Sequence, residues 1–293
     1  MSTAEIRNVA PYRAYIIRIS FIFFLVILIW KYYSHVLPHQ LNNPVLFSLG
    51  LDPLYILYYL SSISEVLTRE NYSHVFSTLL FLSTIYPIIN PNNHRFLIIY
   101  AILYLTYFIV FNTFLTFHAH YMSCILLLNL CFTIKENINF NLIWELMRYF
   151  ICWVYSSAFI WKIINGSFFQ SSFGLEIIKT SQASFIYSNP NNFWSSLYFF
   201  FLSNPVLTNL GTVFIFLLEA LFLIGFFTKK IDGLLILSIF IIHLIIYLFV
   251  DTLFVEQCIL SIALISTRTW QKIVKKQNRF LKISSRKNPP NIN

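Results

Sequence analysis

The sequence predicts an all-α protein, a polytopic integral membrane helical bundle with about eight transmembrane helices. Of its 293 residues, 58% are hydrophobic and only 11% are charged, and the mean hydropathy is +0.69. A soluble domain is about a quarter charged. The apolar residues also form long blocks, as helices of about 20 residues that cross a bilayer require. These observations exclude a soluble enzyme, a disordered chain and a disulfide-rich scaffold.

Apolar blocks and the turn signals between them place the predicted spans in order. The Asn- and Pro-rich turn at 90–95, for example, ends one block and precedes the next. The predicted spans are 15–30, 74–89, 96–117, 121–134, 142–164, 206–227, 231–250 and 253–265.

Two connecting segments are long. The stretch 44–62 is partly apolar, but Asp52 and Pro53 interrupt it. We interpret it as an interfacial or re-entrant segment, with a ninth crossing as the alternative. The connection 165–205 contains several Asn-Gly and Asn-Pro turn signals. We expect it to hold a surface helix near 173–181.

The distribution of basic residues tests the number of crossings, because short cytoplasmic loops of membrane proteins are enriched in Lys and Arg. With the N-terminus inside, eight crossings place most basic residues on the cytoplasmic side: Arg7, Arg13, Arg95, Lys135, Lys229, Lys230 and those of the C-terminal tail. The opposite side receives Lys31, Arg69, Lys162 and Lys179. A ninth crossing would invert every later loop. The sequence therefore favours eight crossings, with the N- and C-termini both cytoplasmic.

We predict a single transmembrane domain, 1–266, and a basic cytoplasmic tail, 267–293, in a protein of the plasma membrane. The tail has no acidic residue, and its basic residues are Arg268, Lys272, Lys275, Lys276, Arg279, Lys282, Arg286 and Lys287. Attraction to anionic lipid headgroups follows from this charge. The lipid bilayer is the expected partner, and we do not expect the tail to bind nucleic acid.

Common cofactor and catalytic motifs are missing from the sequence. The four cysteines lie in apolar stretches and form no CxxC pair, so we predict neither a disulfide framework nor a metal site. The chain has no P-loop, GxGxxG, HExxH or GxSxG pattern. Nucleotide-driven transport and standard hydrolase chemistry therefore lack their usual signals.

The fifth predicted span carries a row of polar side chains, which we call the polar stripe. Its members are Glu145, Arg148, Cys152, Tyr155 and Lys162, spaced 3, 4, 3 and 7 residues apart. That spacing places all five on one helical face. Ionisable groups in hydrocarbon are costly without partners or water. We therefore expect the polar stripe to face a bundle interior or a wet cavity.

Each ionisable member of the polar stripe has a structural and a functional interpretation. Glu145 and Arg148 can form a local ion pair near the cytoplasmic end of the span. Lys162 lies near the outer end, where it either snorkels to the interface or acts as a partly desolvated general base. Arginine could not act as a base, because it does not deprotonate near neutral pH.

Histidines and one further acid complete the set of candidate residues. His118 and His120 lie between the third and fourth spans, on the same side of the membrane as Lys162 by the predicted topology. We interpret them as interfacial packing residues or as hydrogen-bond donors to a substrate. Glu219 and His243 lie deeper, in the sixth and seventh spans. They form either an interhelical polar pair or a proton relay and ligand site.

The second half of the chain resembles the HTTM family, the membrane domain of vitamin K-dependent gamma-carboxylase and its bacterial relatives. Four segments in the family's order carry the resemblance, which extends over about 95–266: HAHYM (118–122), YSSAFIWKIING (155–166), LLEALFLIGFF (217–227) and FIIHLIIYLFVD (240–251). In the carboxylase, a lysine matching Lys162 is the base that deprotonates vitamin K hydroquinone. A histidine matching His118 or His120 assists. The resemblance thus implies a quinone-type lipid as the ligand.

The chain also departs from the family. The tryptophan expected between Lys162 and Gly166 is missing. We also expect no large extramembrane C-terminal domain that would hold a protein substrate. We therefore do not expect γ-carboxylation of a peptide glutamate. The leading interpretation is a proton-transfer enzyme, carboxylase-like or related, acting on a quinone-like lipid or small peptide. In it Glu145, Arg148, Tyr155, Glu219 and His243 shape the substrate site.

Whether the protein is catalytic at all is left open by the sequence. A non-catalytic accessory subunit that serves a membrane-protein partner, in peptide maturation or export or in redox assembly, is the alternative. Membrane subunits of the DoxX/MauE kind share the helical hairpin style and compete with the HTTM family as the nearest resemblance.

Overall fold

A computed structural model describes residues 11–41, 69–114, 122–250 and 254–287. Within these ranges the protein is all-α, with no β-strand, so the all-α part of the predicted fold class is confirmed. The predicted interfacial segment 44–62 lies outside the described residues.

The described ranges contain eleven α-helices. They are α1 (Pro11–Tyr33), α2 (Glu70–Ile89), α3 (His94–Phe114), α4 (Ser123–Phe132), α5 (Asn137–Ile164), α6 (Phe173–Ser188), α7 (Phe193–Ser203), α8 (Pro205–Gly225), α9 (Asp232–Val250), α10 (Val255–Leu260) and α11 (Thr267–Lys287). Short 3-10 turns at Ser167–Phe169 and Ser261–Leu264 follow α5 and α10.

Among the described residues, five helices are long and apolar enough to cross a membrane: α1, α2, α3, α8 and α9. They coincide with the first, second, third, sixth and seventh predicted spans. The fourth predicted span is the 10-residue helix α4, and the eighth is the short apolar run Val255–Leu264. The fifth lies in the 28-residue helix α5, which is long enough but is made less apolar by its charged residues.

The connection 165–205 contains a second helix that the sequence patterns did not predict. The predicted surface helix is present as α6, and α7 follows it after a turn at Asn189–Asn192. The side-chain oxygen of Asn192 accepts a hydrogen bond from the Trp194 amide at 2.9 Å, which caps the start of α7. The Asn-Pro signals in this connection therefore bound two helices rather than a long loop.

The chain divides into two compact units. The first unit comprises Met1–Trp144 together with Ser266–Asn293, and the second unit comprises Glu145–Ile265. In the first unit, α1 packs against α2 and α11, and α3 packs against α2 and α4. Aromatic rings fill its core. The Tyr100 ring lies 4.9 Å from Phe21 and 5.8 Å from Phe24, centroid to centroid. Burial of such rings is a large apolar contribution to stability.

Arg13 joins the start of α1 to the end of α4. Its guanidinium donates hydrogen bonds to the carbonyl oxygens of Phe132, at 2.9 Å, and Lys135, at 3.1 Å. The last carbonyls of a helix lack partners within the helix and carry partial negative charge. The buried arginine therefore closes α4, which explains how a charged side chain is accommodated at 2% exposure.

A pair of histidines lies at the opposite end of α1. The His39 and His74 rings are 4.7 Å apart, and His39 Nδ1 is 2.8 Å from the Ser77 hydroxyl. Burial lowers the pKa of His39 below its ordinary value, and the neighbouring His74 lowers it further. The folded protein therefore favours neutral His39.

Acidification should weaken the first unit through His39. The lowered pKa means that the folded state binds fewer protons than the unfolded state. The stabilising contribution is therefore complete above the ordinary histidine value and is lost as the pH falls through the value in the folded protein. We expect His39→Gln to reduce the drop in melting temperature between pH 7.5 and 5.5, measured in detergent. The exposed His35 adopts a positive φ of 55°, which asparagine tolerates, so His35→Asn is the matched control and should retain the wild-type drop.

Candidate functional site

Most of the polar stripe of α5 faces the interior of the second unit: Arg148, Cys152 and Tyr155 are buried, whereas Glu145 at its start is partly exposed. Arg148, Tyr155 and Lys162, seven residues apart, each meet a polar side chain of α8 or α9. Seven residues are nearly two helical turns, so the three contacts form successive levels along one face of α5. The expectation that the polar stripe faces protein therefore agrees with its position in the second unit.

Arg148 holds the first level. Its Nη2 and Nε atoms donate to the Asp232 carboxylate at 2.7 to 3.1 Å. Nη2 also donates to the carbonyl oxygens of Gly225 and Thr228, both at 2.8 Å. One guanidinium thus binds the end of α8, the following turn and the start of α9. Its five donors in a planar fork suit this task in a way that a lysine would not.

Glu145 lies one turn before Arg148 and binds a different partner. Its carboxylate pairs with the Lys229 ammonium, which lies in the turn between α8 and α9. The local pair that the sequence suggested, Glu145 with Arg148, is thus replaced by two pairs that each reach the far turn. Both side chains of the Glu145–Lys229 pair are substantially exposed, so solvent screens its contribution to stability.

Tyr155 holds the second level. Its hydroxyl lies 2.6 Å from His243 Nε2 on α9, and its ring stacks on Phe222 of α8 at 4.4 Å between centroids. His243 is 3% exposed, and its Nδ1 has no hydrogen-bond partner among the residues that the structure describes. The contact is an interhelical polar pair in an otherwise apolar layer.

Lys162 and Glu219 form the third level. The Lys162 Nζ lies 2.5 and 2.6 Å from the two carboxylate oxygens of Glu219, and 5.0 Å from the centroid of the Phe216 ring. The Glu219 side chain is 5% exposed and that of Lys162 is 25% exposed. The two side chains thus form charge-assisted hydrogen bonds, in which the Glu219 carboxylate is buried and the Lys162 side chain is partly exposed.

The Lys162–Glu219 pair borders a cavity of about 470 Å³. Apart from this pair, the polar side chains in its wall are Thr208 and Thr212 of α8. The rest of the wall is glycine and apolar side chains from α6, α7, α8 and α9. A mainly apolar cavity of this size with a few polar groups is typical of a site for a small lipophilic ligand.

Gly174 of α6 lets two walls of the cavity approach closely. A Cβ at this position would lie 2.1 Å from Thr212 Oγ1 and 3.2 Å from Thr208 Cγ2, whereas one at Gly211 would have no neighbour within 4 Å. The absence of a side chain at Gly174 therefore sets the contact of α6 with α8, and so the shape of the cavity.

The structure groups the predicted residues differently from the pairs that the sequence suggested. Lys162 and Glu219 meet at the cavity, and Tyr155 meets His243 one level away, so Glu219 and His243 do not pair with each other. His118 and His120 lie outside the described residues. Among those described, no group of three His, Cys, Asp or Glu side chains could hold a metal ion.

Asp232 is a functional residue that the sequence patterns did not single out. It is an acid in the first turn of a very apolar helix, where the positive helix terminus already favours it. The sequence did contain a signal for Asp232: it is an acid at the start of an apolar span, and the fifth predicted span contains an arginine that needs a partner. The cavity had no such signal, because five separate helices build its wall.

Comparison with protein-family models, curated proteins and solved structures gave no match.

Removing the charge of Arg148 should destabilise the protein strongly. Arg148→Gln leaves Asp232 and two carbonyl groups without their donor, and loss of one partner of a buried ion pair typically costs about 3–5 kcal/mol. Denaturation in mixed detergent micelles measures the change. The double variant Arg148→Gln/Asp232→Asn should recover part of it. Arg95 is exposed, so Arg95→Gln is the control and should be nearly neutral. Equal stability of Arg148→Gln and Arg95→Gln would show that the Arg148 contacts do not hold the second unit together.

Alanine at two cavity glycines should change stability in opposite directions. Gly174→Ala overpacks the contact of α6 with α8 and should cost about 1–3 kcal/mol. Gly211→Ala adds a methyl group to open space within α8 and should stabilise by up to about 1 kcal/mol. The same denaturation experiment compares them. Two equal changes of the same sign would show that the close approach at Gly174 is unimportant.

Proposed function

We propose that this protein is an HTTM-like integral membrane protein that carries out proton transfer on a lipid-soluble, quinone-like ligand. The observation that carries the proposal is the position of one ion pair, Lys162–Glu219, in the wall of a mainly apolar cavity of about 470 Å³. The family resemblance of 155–166, with its lysine, points to the same residue from the sequence.

The wall of the cavity suits a hydrocarbon ligand with a small polar head. The mainly apolar wall accommodates a ring or isoprenoid chain without leaving many polar groups unpaired. The polar head would meet the ion pair and the hydroxyls of Thr208 and Thr212. A small peptide is the other ligand that the sequence suggested. The cavity favours the lipid, because its wall offers few groups to pair with peptide amides.

The ion pair has the charge properties that deprotonation of a hydroxyl needs. Lys162 and Glu219 together carry no net charge, and a proton can pass between Nζ and the carboxylate oxygens along their hydrogen bonds. When the pair accepts the proton of a ligand hydroxyl it becomes cationic, and it then lies beside the new oxyanion. Preorganised charge of this kind stabilises the transition state without moving solvent. Glu219, or Lys162 once it has lost its own proton, is the base.

The remaining predicted residues have supporting roles in this proposal. Tyr155 and His243 hold α5 and α9 beside the cavity, while Arg148 and Glu145 fix the turn between α8 and α9. His118 or His120 supplies the acid or hydrogen-bond donor that the family resemblance implies. In reaction class, the enzyme is a carboxylase-like lyase or a related proton-transfer enzyme.

We also propose eight crossings of the plasma membrane with both termini cytoplasmic. Within the first unit, contacts of Arg13 with Lys135 and of Asn129 with Leu97 bring the starts of α1 and α3 together with the end of α4. The predicted topology assigns all three to the cytoplasmic side. The basic residues there support that orientation by the positive-inside rule.

A non-catalytic accessory subunit is the second candidate function. The observation that favours it is that Arg148, Tyr155 and Lys162 each have a partner within the second unit. Such pairs can simply hold helices in register for a membrane-protein partner. The two candidate functions differ in the role of Lys162: in the enzyme it takes part in proton transfer, whereas in the accessory subunit it only stabilises the fold.

Deprotonation can be measured on a short-chain hydroquinone. The hydroquinone anion reacts with oxygen faster than the neutral form, so a protein that removes the proton accelerates oxidation of decylubiquinol, followed by absorbance. We expect Lys162→Met and Glu219→Gln each to reduce the rate acceleration by a factor of about 10²–10⁴. That factor is the usual contribution of a positioned acid or base. Lys179→Met, on the exposed side of α6, is the matched control and should retain the activity.

The yield of folded protein separates the two functions. Loss of acceleration at normal yield and melting temperature supports chemistry at the pair. If Lys162→Ala and Glu219→Ala both reduce the folded amount, while the wild type neither binds nor accelerates oxidation of the hydroquinone, the accessory function is the correct one.

A further inference from the structure

The C-terminal helix α11 combines a buried edge with a basic surface. Trp270 and Val274 are 4% and 7% exposed, and α11 packs against α1 in the first unit. Between and beside these anchors lie four exposed basic side chains, Arg268, Lys272, Lys275 and Lys276. The helix contains no acidic residue to neutralise them.

Contacts of Trp270 place α11 at the end of a candidate membrane span. Its ring meets that of Tyr15 edge-on, with 5.9 Å between the centroids. Tyr15 lies in the first turns of α1, whose candidate span begins at Tyr12. Tryptophan and tyrosine are enriched at the level of the lipid headgroups. The start of α11 therefore lies at the depth of a membrane interface rather than far out in water.

More positive charge lies at the same end of the first unit. The exposed side chains of Arg95 and Lys135 lie at the start of α3 and just after α4. The Arg13 contact to the Lys135 carbonyl and the Asn129 contact to the Leu97 carbonyl hold these helix ends beside the start of α1. A bilayer that meets this end of the unit thus meets several cations together.

We propose that α11 is a binding surface for anionic lipid headgroups, with Arg268, Lys272, Lys275 and Lys276 contacting their phosphates. An amphipathic helix with a basic face lies in the plane of the interface, and basic residues there gain affinity from anionic lipid. The depth of Trp270 argues for lipid over nucleic acid, because the headgroups are at the same level as the helix. This inference does not depend on the proposed function of the cavity.

Lipid retention by the full-length protein tests the proposal. The protein in mild detergent is mixed with equal amounts of phosphatidylcholine and phosphatidylglycerol, separated by gel filtration, and its bound lipids are measured by mass spectrometry. We expect phosphatidylglycerol to be enriched at low salt and the enrichment to fall at about 0.5 M salt, because salt screens exposed charges. Lys275→Gln/Lys276→Gln should reduce it roughly 25-fold, since each of the two lysines contributes about fivefold in affinity.

A variant that removes two exposed lysines of the second unit is the matched control. Lys179→Gln/Lys230→Gln loses the same charge and should keep the enrichment. The melting temperatures of both variants should equal that of the wild type, because the four side chains are exposed.

Two results would overturn the proposal. One is the same lipid composition in the wild type and in Lys275→Gln/Lys276→Gln. The other is an equal loss of phosphatidylglycerol in the control. If a fluorescein-labelled RNA binds the wild type, is lost in Lys275→Gln/Lys276→Gln, and phosphatidylglycerol shows no enrichment, the surface belongs to nucleic acid instead.

Discussion

The neutralisation of charge away from water is the constraint on which the second unit depends. An isolated ion in a low-dielectric environment costs several kcal/mol, so each charged side chain of α5 needs a partner of opposite sign or a set of dipoles. Arg148 uses both, in the Asp232 carboxylate and the carbonyls at the end of α8. Because these partners lie on α8, α9 and their connecting turn, neutralising one arginine also fixes two helices against a third.

The same constraint distinguishes the cavity from the rest of the unit. Arg148 has several partners in the protein and a side chain that is 4% exposed. Lys162 is paired as well, but its side chain is 25% exposed and borders the mainly apolar cavity. A charge pair beside such a cavity can exchange a partner for a ligand atom, whereas the Arg148 cluster cannot do so without opening the turn. The Arg148 cluster and the Lys162–Glu219 pair, which we propose to be reactive, thus lie at different levels of one helix.

The sequence predicts some features of this site well and others not at all. The spacing of Arg148, Tyr155 and Lys162 predicts a common face, because helical phase is a local property of the chain. Their partners are 57 to 88 residues away, and no local rule fixes the relative phase of distant helices. Hence the pairings of Glu145 and Glu219 differ from the suggested ones. Helix α6 of the 165–205 connection was predicted, but α7 and the close approach of Gly174 to α8 were not, because contacts between separate helices follow no local rule.

The seven-residue interval along α5 has a mechanical consequence. Its three levels bind partners of different chemistry, namely a carboxylate, an imidazole and a second carboxylate. A slide of α5 by two turns, about 10 Å at about 1.5 Å per residue, would bring a phenol to the site of a guanidinium and an ammonium to the imidazole. Only one axial position satisfies all three levels. The three different partners therefore fix the axial register of α5 relative to α8 and α9.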